Sequence, residues 1–123
     1  MRKSLTPLGE TEMEVLHHVW ELGEASVAEV RERILQRREV AYTTVMTVMK
    51  NLADKKYLKY RKQGLSYIYS AAIKPDDVRY NLVDRLVDKV FHGSPKDLVQ
   101  ALVDNEKLSD KERKEIKDMI DNL

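Results

Sequence analysis

The order of the periodic segments constrains this chain more than any other feature. Three short stretches with apolar residues at helical spacing come first. A run of aromatic and branched residues, alternating with polar ones and broken by Gln63-Gly64, follows them. The first stretch places Met13, Val15, Leu16, Val19 and Trp20 on one side of a helix over residues 10–22. Gly9, with Glu12 three residues on, suits its start, and Gly23 supplies its stop. Ser26-Val27-Ala28-Glu29 has the capping-box spacing and opens a second helix to about Gln36. A third helix runs to about Lys56 with Val45, Val48, Met49 and Leu52 inward, and Thr43 or Thr44 is expected to cap it. Residues 57–62 and 65–70 then form a β-hairpin.

Helix, helix, helix, hairpin is the order of a winged helix-turn-helix. The expected fold is mainly α with a small β-hairpin wing. A DNA-binding domain over residues 1–74 precedes a helical dimerisation domain over 75–123. In such a domain the third helix, about 43–56, enters the major groove, and the wing, about 58–70, lies on the backbone.

Charge supports that assignment once it is divided along the chain. The formal net charge is only +1, which for the whole molecule argues against a polyanion partner. Residues 1–74, however, hold 13 basic and 9 acidic side chains, a net of +4, whereas residues 75–123 hold 9 and 12, a net of −3. Between residues 37 and 62, Arg37, Arg38, Lys50, Lys55, Lys56, Lys59, Arg61 and Lys62 face only Glu39 and Asp54. A polyanion responds to such local excess. At ~100° per residue, Thr43, Met46, Thr47, Lys50 and Asp54 project opposite the apolar face of the third helix, with Thr44 on a flank. Small side chains near its start allow close approach to base edges, and a Thr methyl can pack on a thymine methyl. The candidate DNA-binding residues are Tyr42, Thr43, Thr44, Met46, Thr47 and Lys50, with Arg61 and Lys62 on the wing. Asp54 is unfavourable on this face and belongs at the end farther from the groove.

The acidic half reads as three amphipathic helices. Leu82, Val83, Leu86, Val87, Val90 and Phe91 recur in pairs over residues 76–91, giving a broad apolar surface. Ser94-Pro95 opens a second helix with Leu98, Val99, Leu102 and Val103 on its face, and Ser109-Asp110-Lys111-Glu112 caps the last. A lone core of this size is usually insufficient, and no cysteine is available to staple it. Pairing with a second copy through Leu82, Val83, Leu86, Val87, Val90, Phe91, Leu98, Val99 and Leu102 is therefore expected.

No catalytic constellation, metal set or cofactor motif is present in the sequence. His17 and His18 are adjacent and ~100° apart on a helix, so they do not share a ligand, and His92 is isolated. HExxH, a glycine-rich phosphate loop and a nucleophile elbow are all missing. Without a 20-residue apolar run or an apolar stretch behind Arg2-Lys3, the chain is expected to be cytoplasmic. A second reading remains open at this point: a helical protein-interaction module whose basic face meets an acidic protein.

Several of these segments resemble the penicillinase-repressor family, which includes methicillin-resistance and copper-responsive repressors. The residues that carry the likeness are Leu8-Gly9-Glu10-Thr11-Glu12-Met13-Glu14-Val15-Leu16 with Val19-Trp20, then 41–49, then Lys55-Lys56-Tyr57-Leu58 with 67–70. The resemblance implies a bacterial repressor that binds a palindromic double-stranded DNA operator as a homodimer through its C-terminal helices. It also implies, for the antibiotic-responsive branch, a membrane-bound sensor protease system that triggers cleavage of the repressor. That bond corresponds to Ala101–Leu102, where the family pattern is Asn-Phe. The copper branch carries C-terminal cysteines and this chain has none, which places the likeness outside that branch.

Overall fold

The computed structural model describes residues 5–123; Met1 to Ser4, including the Arg2 and Lys3 counted above, lie outside the described residues. Nine elements follow one another: α1 (Glu10–Leu22), β1 (Glu24–Ala25), α2 (Val27–Leu35), α3 (Tyr42–Asp54), β2 (Leu58–Gln63), β3 (Ser66–Ala71), α4 (Pro75–Val90), α5 (Pro95–Val103) and α6 (Asp110–Asp121). They form two compact units, 1–81 and 82–123, so the division falls inside α4, past the charge break at Lys74.

In the first unit, local sequence signals set the helix ends. The Glu12 carboxylate accepts from the Gly9 amide at 2.9 Å. The Ser26 amide donates to the Glu29 carboxylate at 3.0 Å and the Glu29 amide to the Ser26 hydroxyl at 3.2 Å, closing the capping box of α2. The inward faces meet in a core of Val15, Leu16, Val19, Val30, Ile34, Val45, Met49 and Leu52, all 0–1% exposed. Each such side chain contributes about 1.5–3 kcal/mol by leaving water.

One expectation is corrected, and one strand is added. Neither Thr43 nor Thr44 caps α3: the N-cap is Ala41, without a side-chain bond, and the helix starts at Tyr42. The entry is fixed upstream instead, where Val40 is buried and its carbonyl accepts from Arg31 Nε at 3.0 Å. Besides the expected hairpin, β1 adds a third strand, giving the antiparallel order β1-β3-β2 with Glu24 opposite Ser70 and Ala25 opposite Tyr69.

At its far end α3 closes with Lys56 in the left-handed region, φ 72°. The Tyr57 amide reaches back to the Leu52 carbonyl and the Lys56 amide to that of Ala53, a Schellman closure. This turn buries Tyr57, whose hydroxyl donates to the Thr6 carbonyl at 2.5 Å, and launches β2 beside α3.

His18 joins α1 to α2. Its Nδ1 accepts from Arg33 Nε at 3.1 Å, and Arg33 also pairs with Glu21. Burial and the Arg33 charge, helped by Arg37, hold the His18 pKa below 6.5 against the opposing pull of Glu21 and Glu14. The folded state therefore favours neutral imidazole. The stability this contributes is present above the unfolded value of about 6.5 and is lost as pH falls below it. His18→Asn keeps an acceptor at the same place without titrating. Thermal midpoints of the wild type are expected to fall between roughly pH 7 and pH 5 more steeply than those of the variant. Parallel curves would show that His18 does not carry the dependence.

The second unit is packed differently. Neither α5 nor α6 buries a residue, although Ser94 caps the one (Asp97 amide, 3.2 Å) and Ser109 the other (Glu112 amide, 3.1 Å). Arg113 ties α6 to the end of α5 by donating to the Val103 and Asn105 carbonyls at 2.9 and 3.0 Å. Val83, Leu86, Val90, Leu102, Met119 and Ile120 are 42–67% exposed, while Val87 is buried and Leu82, Phe91, Leu98 and Val99 are half-buried, so the apolar faces read from sequence are partly open to solvent. Among the described residues, no helix is long and apolar enough to cross a membrane.

Candidate nucleic-acid interface

The inward face of α3 is fixed by Val45, Met49 and Leu52, and this leaves Tyr42, Thr43, Thr44, Met46, Thr47 and Lys50 exposed together. Because the cap is Ala41, neither threonine hydroxyl serves the helix start. The side chains at the beginning of the face are short apart from Tyr42, and Lys50 follows two turns on. Asp54 is exposed at the last position of α3, about 18 Å along the axis from Tyr42. It stands at the opposite end from the small residues.

The wing is a two-residue hairpin turning at Gly64, φ 63°, the left-handed first position that glycine supplies without strain. Its register pairs Tyr60 with Tyr69, Arg61 with Ile68 and Lys62 with Tyr67. Strand alternation then puts Leu58, Tyr60, Lys62, Tyr67 and Tyr69 on one face and Lys59, Arg61, Gln63 and Ser66 on the other. Buried Leu58 and Tyr69 mark the first face as the one turned to the core. Burial pushes the Tyr69 phenol up, with the neighbouring Tyr60, Tyr67 and Tyr42 hydroxyls and the Asp54 carboxylate adding to it. The tyrosine face of the wing and the outward face of α3 are thus neighbours.

Arg61 and Lys62, adjacent in sequence, are separated by this pleat. Lys62 stands on the face of Tyr60, Tyr67 and Tyr69. Arg61 stands on the other, where Glu24 and Gln63 engage it at 3.3 and 2.6 Å and tie the wing to β1. Other members of the basic cluster are also engaged. Arg38 pairs with Glu14 at 2.5 Å, and Lys55 with Glu12 at 2.7 Å and the Pro7 carbonyl at 3.1 Å. Burial opposes ionisation of Glu12, but Lys55 and the Gly9 amide outweigh it and hold its carboxyl below the usual range. Among the described residues Lys50 and Lys62 have no such partner. Tyr60 and Tyr67 were not singled out from sequence; counting alternation back from Gly64 finds them.

No group of three His, Cys, Asp or Glu side chains is placed to hold a metal ion among the described residues. His17 instead meets Trp20 edge to face, 5.4 Å between centroids.

Residues 8–122 match the penicillinase repressor family. The chain belongs to that family. A penicillinase repressor of Staphylococcus aureus is 30% identical over 112 residues, 91% of this chain and 89% of that protein. The transcriptional regulator BlaI of Mycobacterium tuberculosis is 36% identical over 92 residues, 73% of this chain and 67% of its own. Among solved structures, the monomeric form of Bacillus licheniformis BlaI in complex with the blaP half-operator superposes with a TM-score of 0.52 at 23% identity. That likeness covers 63% of this chain and 93% of the other and shows the shared winged-helix fold. In this penicillinase-repressor family member, the outward side of α3 is exposed, and Tyr42 and Asp54 at its two ends act on Tyr69 of the wing's tyrosine face.

Proposed function

We propose that the chain is a transcriptional repressor that binds a double-stranded operator as a homodimer, with residues 1–74 reading DNA and 75–123 pairing two copies. The juxtaposition of the uncapped threonine face of α3 with Lys50 and Lys62 carries this reading. Thr43, Thr44, Met46 and Thr47 approach base edges, Lys50 and Lys62 neutralise phosphates, and Tyr42 lies at the entry. Arg61 contributes to the wing's charge while bracing it against β1.

The dimer part rests on the second unit. A segment of 82–123 in which Val87 is the one buried apolar residue lacks a core of its own. The Leu82, Val83, Leu86, Val87, Val90 and Phe91 face of α4, with Leu98, Val99 and Leu102 of α5, would supply it by meeting its own copy. Release by a membrane sensor protease system would act on the Ala101–Leu102 bond. That bond lies within α5, so cleavage requires the helix to open locally, and a helix that buries no residue opens readily. The proposed role needs no catalytic residue, metal or cofactor and places the protein in the cytoplasm.

A salt-titrated gel shift on duplex DNA tests the reading. The expected result is a discrete dimer-sized shift that weakens steeply with salt, as counterion release requires. Binding to acidic proteins with no duplex binding at low salt would favour the interaction-module reading.

A further inference from the structure

The wing carries aromatic side chains that its charge does not account for. Tyr60 and Tyr67 are 58% and 46% exposed, yet their rings are locked edge to face at 5.2 Å, 86° between planes. Tyr60 also leans on buried Tyr69 at 5.6 Å, which anchors the pair to the sheet. Among the described residues, neither exposed hydroxyl has a hydrogen-bond partner. The pair is thus held in place with its polar ends unspent.

The chemistry of that sheet face selects the partner. It holds Leu58, Tyr60, Lys62, Tyr67, Tyr69 and Ala71 and no carboxylate of its own; the acidic group that acts on it is Asp54, at the last position of α3, through Tyr69. On the reverse face Arg61, Gln63 and Glu24 bond among themselves. A tyrosine offers a hydroxyl donor on an apolar ring with only two side-chain torsions to fix. That combination suits a sugar–phosphate strand, where the ring edge packs on deoxyribose and the hydroxyl donates to a phosphate oxygen.

We propose that Tyr60 and Tyr67 are DNA-positioning residues that donate hydrogen bonds to operator phosphates beside the groove occupied by α3, with Lys62 as the charged member of the same contact. The inference rests on the operator-binding reading above. It adds a separable signature: a neutral donor displaces no counterion, so its loss lowers affinity without changing the salt slope, whereas loss of Lys62 changes both.

The test uses the full chain and a duplex that the wild type has selected. Tyr60→Phe and Tyr67→Phe keep the ring pair and remove one hydroxyl each. Each is expected to weaken binding roughly tenfold, with an unchanged salt slope, an unchanged thermal midpoint, and loss of interference from ethylating one phosphate per half-site. Lys62→Ala is the comparator, expected to lower the slope by about 0.9 per half-site. Wild-type affinity in both Phe variants, while the wild type still binds, would overturn this inference alone. So would a loss that tracks a falling thermal midpoint, or one confined to self-association. A wild type that selects no duplex would overturn the operator-binding reading beneath it.

Discussion

Leu86→Asp is expected to convert the proposed dimer into a monomer at micromolar concentration. Leu86 is 42% exposed on α4, in a unit where α5 and α6 bury nothing, so the folded protomer tolerates a charge there. Its cost falls on association. An unpaired carboxylate carried into an apolar interface costs at least about 3 kcal/mol, more than a hundredfold in the dimer constant. Operator affinity should follow, because two linked readers gain on the order of 10²–10⁴ over one through effective concentration. Sedimentation and gel shift on the same preparation check both consequences. Retained helical content by circular dichroism separates loss of pairing from loss of folding.

Thr47→Ala and Lys50→Ala should fail in different ways, although the residues are neighbours on one face of α3. Lys50 is a cation without an internal partner among the described residues, so its removal should weaken binding to every duplex and lower the salt slope by about 0.9 per half-site. Thr47 carries no charge. Its loss should leave the slope unchanged and relax preference at one base pair, a discrimination of about 1–3 kcal/mol or roughly 10–100-fold. Affinities measured against single-base variants of the bound duplex, over a salt series, separate the two. If both substitutions act alike, or neither acts, α3 does not read base edges.

What could be read in advance was what adjacent residues decide. Ser26 with Glu29, Ser94 with Asp97, and Ser109 with Glu112 each close a bond across three residues, and all three helix starts follow from them. The start of α3 did not, because Thr43 and Thr44 have the right chemistry in the wrong place. Burial of Val40 and the Arg31 bond to its carbonyl set the entry two or three residues earlier than a threonine cap requires. Strand β1 has two residues and therefore no period; it exists because β3 offers an edge to Glu24 and Ala25. The basic cluster was visible as composition, but not its engagement. Glu12 lies 43 residues from Lys55, Glu24 37 from Arg61 and Glu14 24 from Arg38, and only the fold brings each pair together.

The pleat of the wing was the most consequential omission. Arg61 and Lys62 look equivalent in a charge count, yet one braces β1 and the other stands on the sheet face of Tyr60 and Tyr67. The near-neutral total of +1 hides a surface on which two partnerless lysines, short polar groups and fixed phenols are combined.

The central claim, that a dimer of this chain reads DNA through α3 and the wing, is tested most directly by selecting bound sequences from a random duplex pool. The expected result is an inverted repeat whose half-sites are centred about one helical turn apart, ~10–10.5 base pairs or a multiple of it. Enrichment of a single unrepeated site, or no enrichment at low salt, would contradict it.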